Sequence, residues 1–351
     1  MQTIGELIDN KKIIIKKTKY AGRLHSKNKL GKILPDNTLQ LSLIEGAFLL
    51  DEKKIKLLQN NREIKLQDLI KIAAKKNIDF ETKYLVFKDL KKRGYPIKPA
   101  EKQHISFYIQ RQKKDNKKQI LIAVFSERDN INIDKIKKLI QKTTQKNNTL
   151  WYAIVDEEGD ITYYNLTLEK NLKGKIKEHT YPKTKGILLK NRVIIFDKKT
   201  AKLLAEKEFF GKNFGEGLQL SLVEAIHLLE KNIITIQNIN NKKLSKKETK
   251  KYAETLQPDI KQRLTVFNDL KKHGLIVKTG FKFGTHFRAY TDHPNKTHAD
   301  YLIHVVKKGH TSIFAEISRA VRLAHSVNKE IMFARVDENK IDYIKFGRLR
   351  P

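Results

Sequence analysis

The chain is written twice. LQLSL at 39–43 returns at 218–222, GK at 31–32 at 211–212, VFKDLKKRG at 86–94 as VFNDLKKHG at 266–274, and AIVDEEG at 153–159 as ARVDENK at 334–340. The shifts all fall between 179 and 181 residues, so one duplication explains them. A chain of 351 residues is long enough for more than one core, and the repeat says how it is divided. The first part of each half has an extended opening (IIIKK at 13–17, VIIFD at 193–197). An amphipathic helix is predicted after it (TLQLSLIEGAFLL at 38–50, GLQLSLVEAIHLL at 217–229). The second part begins with a helix closed by Gly94 or Gly274, a glycine suited to the left-handed position after a helix end. Strands and another helix follow. NLKGKIKEHTYPKTKG (171–186) lacks apolar periodicity and is predicted to link the halves. The fold class is α/β (α+β), a tandem duplication of four small modules at 1–80, 81–170, 187–260 and 261–351.

Charge is the next constraint. Lys and Arg number 73 against 39 Asp and Glu, a formal net charge of +34. Such an excess favours a polyanion, nucleic acid or an acidic membrane surface. A lysine-rich genome bias is the alternative, and the many Lys, Asn and Ile residues fit it. Apolar runs such as ILIAVF (120–125) and YLIHVV (301–306) show that the chain buries cores. No run approaches the roughly 20 apolar residues of a bilayer span, so no membrane partner is expected. MQTIGELIDNKKIII has no apolar secretory core, and there is no cysteine, hence no disulfide and no thiolate zinc site. A cytoplasmic location is expected.

The halves differ most where chemistry can reside. GTHFRAYTDHPNKTHADY (284–301) holds three of the chain's 11 histidines. Between Gly94 and the next apolar strand, near Ile105, the first half has only YPIKPAEKQH, so the second half is read as carrying a longer insert. At a shift of 181, Lys329 falls on Asn148. His286, His293 and His298 with Asp292 or Asp300 would be the donors of a metal site. They lack the i, i+4 spacing of a helical metal motif and share one loop. Glu316 is followed by Ile317 and Ser318, with no lysine two residues on as E-x-K requires, against a metal-dependent nuclease of the restriction type. No metal and no cofactor is therefore expected. Proton transfer fits better. RNA carries its own nucleophile in the 2′-OH, and cleavage needs a base, an acid for the leaving oxygen and a cation on the phosphorane. Histidine suits the acid, a charged lysine suits the cation, and a tyrosine base needs cationic neighbours.

In order, VFNDLKKHGLIVKTGFKFGTHFRAY, THADYLIHVV and SRAVRLAHSVNKEIMFARVD resemble the archaeal tRNA-splicing endonucleases. The likeness extends over nearly the whole chain. In that family a G-x-K-[FY]-G-x-x-F-R-x-Y segment ends in the catalytic tyrosine, a histidine precedes an x-x-Y-L strand, and a lysine follows A-H-S-V-x. The resemblance implies Tyr290 as base, His298 as acid and Lys329 as phosphate stabiliser. The bland alternatives are a tyrosine capping its loop, a strand-edge histidine and a solvated helix-end lysine. It implies a two-repeat, homodimeric enzyme whose first nuclease-like module is degenerate. Such an enzyme would cut precursor tRNA and other RNA at bulge–helix–bulge motifs, leaving 2′,3′-cyclic phosphate and 5′-OH ends. Arg322 and Arg348 are candidates to clamp a flipped-out base, with Arg350 as a substitute for Arg348. Arg322 precedes Lys329 by seven residues and is expected on the same side of one helix. The acidic DEEGD turn, with Asp156, Glu157, Glu158 and Asp160, is implied to dock on a basic surface of the partner copy. His286 and His293 are left as surface or RNA-contacting residues. A non-catalytic RNA-binding subunit is the alternative from another class, but it predicts a broken catalytic set in both halves. A ribonuclease of the same mechanism with other substrates also remains open.

Overall fold

The computed structural model describes residues 3–16, 19–102, 104–110, 118–294 and 298–351. The first half opens with β1 (Thr3–Ile8), β2 (Lys12–Ile15), α1 (Lys19–Ser26), β3 (Lys32–Ile33), β4 (Leu39–Ser42), α2 (Leu43–Asp51), β5 (Ile55–Gln59), β6 (Arg62–Glu63) and α3 (Leu66–Ala74). Its second module has α4 (Phe80–Lys92), β7 (Ile97–Lys102), β8 (Ile105–Gln110), β9 (Gln119–Ser126), β10 (Asn130–Asn132), α5 (Ile133–Gln145), β11 (Thr149–Val155) and β12 (Ile161–Glu169). The second half repeats the plan with β13 (Thr184–Leu189), β14 (Arg192–Ile195), α6 (Lys198–Lys207), β15 (Lys212–Phe214), β16 (Gly217–Ser221), α7 (Leu222–Glu230), β17 (Ile234–Gln237), β18 (Lys243–Leu244) and α8 (Lys246–Leu256). Its last module has α9 (Ile260–Lys272), β19 (Ile276–Thr279), a 3-10 turn (Phe281–Phe283), β20 (Phe287–Tyr290), β21 (Tyr301–Lys307), β22 (Thr311–Ile313), α10 (Phe314–Ser326), β23 (Glu330–Asp337) and β24 (Lys340–Leu349). Among the described residues no helix is long and apolar enough to cross a membrane.

The repeated motifs have physical causes. The helix expected over 38–50 is divided: LQLS is a strand in both halves, and the helix starts only at Leu43 or Leu222. Ser42 and Ser221 are N-caps, each closing a capping box with Glu45 or Glu224. Such a cap is worth about 1 kcal/mol. The other oxygen of each glutamate accepts the N–H of Gly31 or Gly211 at 2.8 Å. Both glycines have φ near +60°, and a Cβ there would meet the Gln40 or Gln219 carbonyl within 2.5 Å. GK and LQLSL are thus two parts of one lock. The DLKK aspartates act similarly: Asp89 accepts from Tyr163 and Asp269 from Tyr343, each at 2.7 Å. Each bond ties the first helix of a second module to its last strand.

The two second modules share one ten-stranded sheet, ordered β19-β20-β21-β23-β24-β12-β11-β9-β8-β7 among the described residues. β12 and β24 pair antiparallel at its centre, from Tyr163 opposite Leu349 to Glu169 opposite Tyr343. The seam is pseudo-symmetric. Ile133 N–H donates to the His310 carbonyl and Phe314 N–H to the Asp129 carbonyl, the same contact made from each side. One face of the sheet carries α5 and α10 over a core common to both modules, including Ile136, Ile140, Phe314, Val321, Phe333 and Phe346. On the other face, α4 and α9 each join the sheet to the N-terminal module of their own half. Arg335, buried on β23, adds ion pairs to Asp134 of α5, to Asp342 at 3.0 Å and to Asp337 at 3.1 Å.

The loop of the second half is not an insertion. Ile105 begins β8, the counterpart of β20, whereas the counterpart of β21 is β9, as the parallel pairings β9–β11 and β21–β23 show. Measured between equivalent strands, from Gly94 to Ile120 and from Gly274 to Tyr301, the two stretches differ by one residue. The apparent insert arises because β8, which begins at Ile105, is apolar like β9, the true equivalent of β21. What differs is which residues occupy the stretch.

Candidate active site

Three strands end side by side. Ala289 of β20 lies opposite Tyr301 of β21, and Tyr301 lies opposite Glu330 of β23. One step further out in each strand stand Tyr290, Asp300 and Lys329. Adjacent strands are about 4.8 Å apart, so the Tyr290 and Lys329 backbones are separated by about 10 Å, with Asp300 between them. Backbone bonds fix this row: Asp300 N–H donates to the Ala289 carbonyl (3.0 Å) and Glu330 N–H to the Asp300 carbonyl (3.1 Å). His298 is exposed, two residues before Asp300 on the segment entering β21. Residues 295–297 of this loop lie outside the described residues.

Each position has a local cause. Tyr290 is buried in a small cluster with Ile276, Ala299, Ile176 and Phe209. The Arg288 guanidinium lies 5.8 Å from its ring centre, which supplies a cationic neighbour. Lys278 holds Phe209 in place from β19, donating to the Phe209 carbonyl at 2.6 Å and the Gly211 carbonyl at 2.5 Å. Lys329 does not share a helical face with Arg322, contrary to the spacing argument. α10 stops at Ser326, Asn328 takes a left-handed φ of 54°, and Lys329 sits in the turn before β23. Its N–H donates to the Ala324 carbonyl at 2.9 Å, and its ammonium bonds the Val327 carbonyl at 3.1 Å and lies 5.4 Å from the Phe283 ring centre. Position is thus set by the helix end rather than by helical periodicity.

The histidines of the loop separate into different tasks. His286 is neither on the surface nor beside Tyr290. It precedes β20 at the opposite end, where Nδ1 accepts the Val305 N–H at 2.9 Å and Nε2 lies 3.4 Å from an Asp259 oxygen. Burial, and then the neighbouring His304 and Arg263, push its pKa down to about 4. His293 meets the Phe209 ring edge-on at 4.5 Å. Asp300, weighed from sequence only as a metal ligand, instead closes the loop: one oxygen accepts the Thr291 N–H (2.7 Å) and hydroxyl (2.8 Å). Asp292 pairs with Lys175 at 2.7 Å. The roles of Asp300, Ile176 and Phe209 had no signal in the sequence, because each depends on a partner far along the chain or across a turn.

Arg322 and Arg348 converge from different elements. Arg348 lies opposite Tyr164 across the central β12–β24 pair, and Arg322 is on α10. Both guanidiniums act on the buried Tyr164 hydroxyl, whose pKa burial raises and whose neighbours Ser318, Arg322 and Arg348 pull back. Both arginines are exposed. Arg350 lies beyond the end of β24.

In the first half the corresponding positions hold amides. Gln110 lies opposite Gln119 at the end of β8, and these are the positions that Tyr290 and Asp300 hold in the second half. The Gln119 side chain donates to Gln110 at 3.0 Å, and its N–H donates to the Asn148 side chain at 2.9 Å. Gln110, Gln119 and Asn148 bond one another and lack the charge and acidity that Tyr290, Asp300 and Lys329 bring. The acidic turn links β11 to β12. Asp156 serves the turn itself, accepting from the N–H groups of Glu158 (3.1 Å) and Asp160 (2.9 Å), and Glu157 pairs with Arg128. Glu158 and Asp160 are exposed.

Family comparisons agree with this organisation. Residues 80–163 and 260–343 match the tRNA intron endonuclease, catalytic C-terminal domain, and 4–70 and 184–250 match the tRNA intron endonuclease, N-terminal domain. The tRNA-splicing endonuclease of Methanococcoides burtonii is 35% identical over 318 residues, 89% of this chain and 90% of that one. That of Methanosarcina acetivorans is 32% identical over 90% of this chain and 91% of its own. That of Hyperthermus butylicus is 32% identical over 43% of this chain but 88% of its own length, a relative the size of one half. The chain belongs to the tRNA intron endonuclease family, as an endonuclease that acts in the excision of introns from tRNA.

Proposed function

We propose that the enzyme cuts precursor tRNA at bulge–helix–bulge junctions by attack of the 2′-OH on the adjacent phosphate. The observation that carries this is the row of strand ends bearing Tyr290 and Lys329, with His298 on the segment between them. Tyr290 removes the 2′-OH proton, with the Arg288 guanidinium beside its ring. His298, exposed on the segment entering β21, gives a proton to the leaving 5′-oxygen. The Lys329 ammonium stabilises charge on the non-bridging oxygens. The phosphorus–5′-oxygen bond breaks as the 2′-oxygen bond forms, leaving a 2′,3′-cyclic phosphate and a 5′-OH. Arg322 and Arg348 stack on an extruded bulge base.

The working unit in this proposal is a homodimer. The exposed Glu158 and Asp160 of one copy dock on a basic surface of the second half of the other, in keeping with an acidic tip on a protein of net charge +34. Each chain then supplies one active centre, matching the two cuts needed to release an intron. A cytoplasmic location is part of the same proposal, supported by the absence of cysteine.

Incubation with a bulge–helix–bulge RNA, followed by end-group analysis, tests the chemistry. A single 2′-deoxy substitution at one junction must abolish that cut and spare binding. Tyr290→Phe and His298→Ala should each slow the chemical step by about 10²–10⁴-fold. Cleavage of the deoxy junction, or products with 5′-phosphates, would refute the mechanism.

A further inference from the structure

The segment between the repeats is bound along the catalytic module. Leu172 is buried in the core of the second half. Gly174 N–H donates to the His273 carbonyl (2.8 Å) and Ile176 N–H to the Gly274 carbonyl (3.0 Å), at the end of α9. Between them, Lys175 N–H points the other way and donates to the Thr291 carbonyl at 3.0 Å. The Lys175 ammonium reaches Asp292 at 2.7 Å, and the Ile176 side chain packs in the Tyr290 cluster. Three successive residues therefore clip the loop that follows Tyr290 to a helix end.

Two glycines make the crossing possible. A Cβ on Gly174 would lie 2.0 Å from the Gly274 carbonyl oxygen, and one on Gly274, at φ +74°, would lie 2.8 Å from the Ile176 oxygen. Gly94, the counterpart of Gly274 in the amide-bearing half, has nothing within 4 Å of the same point. The crossing is thus a property of the half with the tyrosine.

We infer that residues 174–176 form a strap that positions the Tyr290 loop, so that Gly174, Lys175 and Ile176 are positioning residues for RNA cleavage. The inference rests on the proposed role of Tyr290. Tyr290 ends a strand of four residues, and the peptide after it is held by Asp300 on one side and by the strap on the other. Loosening the strap leaves the RNA-binding surface in place but lets the phenol move relative to Lys329. A misplacement of about 1 Å costs on the order of 10²-fold in rate.

The test uses the full-length protein and a bulge–helix–bulge RNA. Gly174→Ala has to displace the strap, while Lys175→Met removes only the exposed ammonium that bonds Asp292 and should fold normally. Gly174→Ala should lower the single-turnover rate at least about tenfold, and Lys175→Met less. Lys175→Arg should recover most of the loss, and affinity for a 2′-deoxy RNA should stay at the wild-type value in all three. Wild-type rates in both Gly174→Ala and Lys175→Met, or affinity falling in step with rate, would overturn the strap. Tyr290→Phe is assayed in parallel. If it cuts at the wild-type rate, the assignment of Tyr290 has failed, and amide exchange decides the strap alone. Faster exchange at 291–293 in Gly174→Ala then upholds it, and unchanged exchange rejects it.

Discussion

Acid should loosen the strand that carries Tyr290 through its other end. His286 precedes β20 and is 16% exposed at its side chain. Its Nδ1 accepts the Val305 N–H, so that nitrogen cannot carry a proton without breaking the bond. Asp259 faces Nε2 and favours the charged form, but burial, His304 and Arg263 outweigh it and hold the pKa at about 4, below an ordinary 6.5. The unfolded chain therefore takes up this proton near pH 6.5, and the folded chain refuses it until about pH 4. The stability involved is fully present above pH 6.5 and is lost as pH falls from there to 4. Over the whole interval it amounts to about 3 kcal/mol, and between pH 7.5 and 4.5 to about 2.5 kcal/mol. Asparagine at this position can still accept the Val305 N–H but does not titrate. Urea unfolding followed by circular dichroism at both pH values should show the wild type losing about 2.5 kcal/mol more than His286→Asn. Relief of the His304 repulsion in the variant reduces the difference somewhat. Parallel pH dependences for the two proteins would refute the assigned role of His286.

Asp300→Ala removes two charge-assisted bonds to Thr291, and should slow single-turnover cleavage about 10- to 100-fold with little change in RNA affinity. Asp300→Asn should fall between that variant and the wild type. Replacing Glu158 and Asp160 by Ser, with Asp156 kept for its turn, should shift the mass seen by light scattering from twice 40.9 kDa towards 40.9 kDa and reduce cleavage. A fully dimeric, active double variant would exclude docking through this tip. Arg322→Ala should weaken cleavage at a bulge more than binding to a plain duplex, and the salt dependence measured alongside should stay steep. Equal losses on both RNAs would make Arg322 a phosphate contact only.

How far the sequence could be read depended on the distance between partners. The duplication, the paired helices ending at Gly94 and Gly274 and the acidic hairpin were visible because their signals are local. The division of LQLSL into strand and helix was missed because its apolar spacing also fits a helix, and only the Ser–Glu capping box, three residues apart, marks the boundary. The strands were mispaired because β8 and β9 are both apolar, and register is settled by neighbours rather than by composition. Tyr290 and Lys329 stood out through motif and through their replacement in the other half, but what supports them did not. Asp300 acts by reaching back to Thr291, and Ile176 approaches Tyr290 from more than a hundred residues away. The central β12–β24 pair left no trace in either strand alone, since an interior strand and an edge strand can carry the same alternation.

The central seam also bears on how the halves were free to change. In an assembly of identical subunits about a two-fold axis, every substitution at the contact appears twice and must fit itself. Here both sides of the seam belong to one chain, and each position varies independently. Arg335 shows the result: it reaches across to Asp134, while the position equivalent to it is Ile154, an apolar residue. The Arg335 contact has no counterpart from the other side, whereas the backbone contacts of the seam are made from both. Covalent continuity also makes this contact insensitive to dilution, so a mispaired combination of two amide-bearing halves does not arise by exchange. Division of labour between the halves thus follows from their being a single translation product.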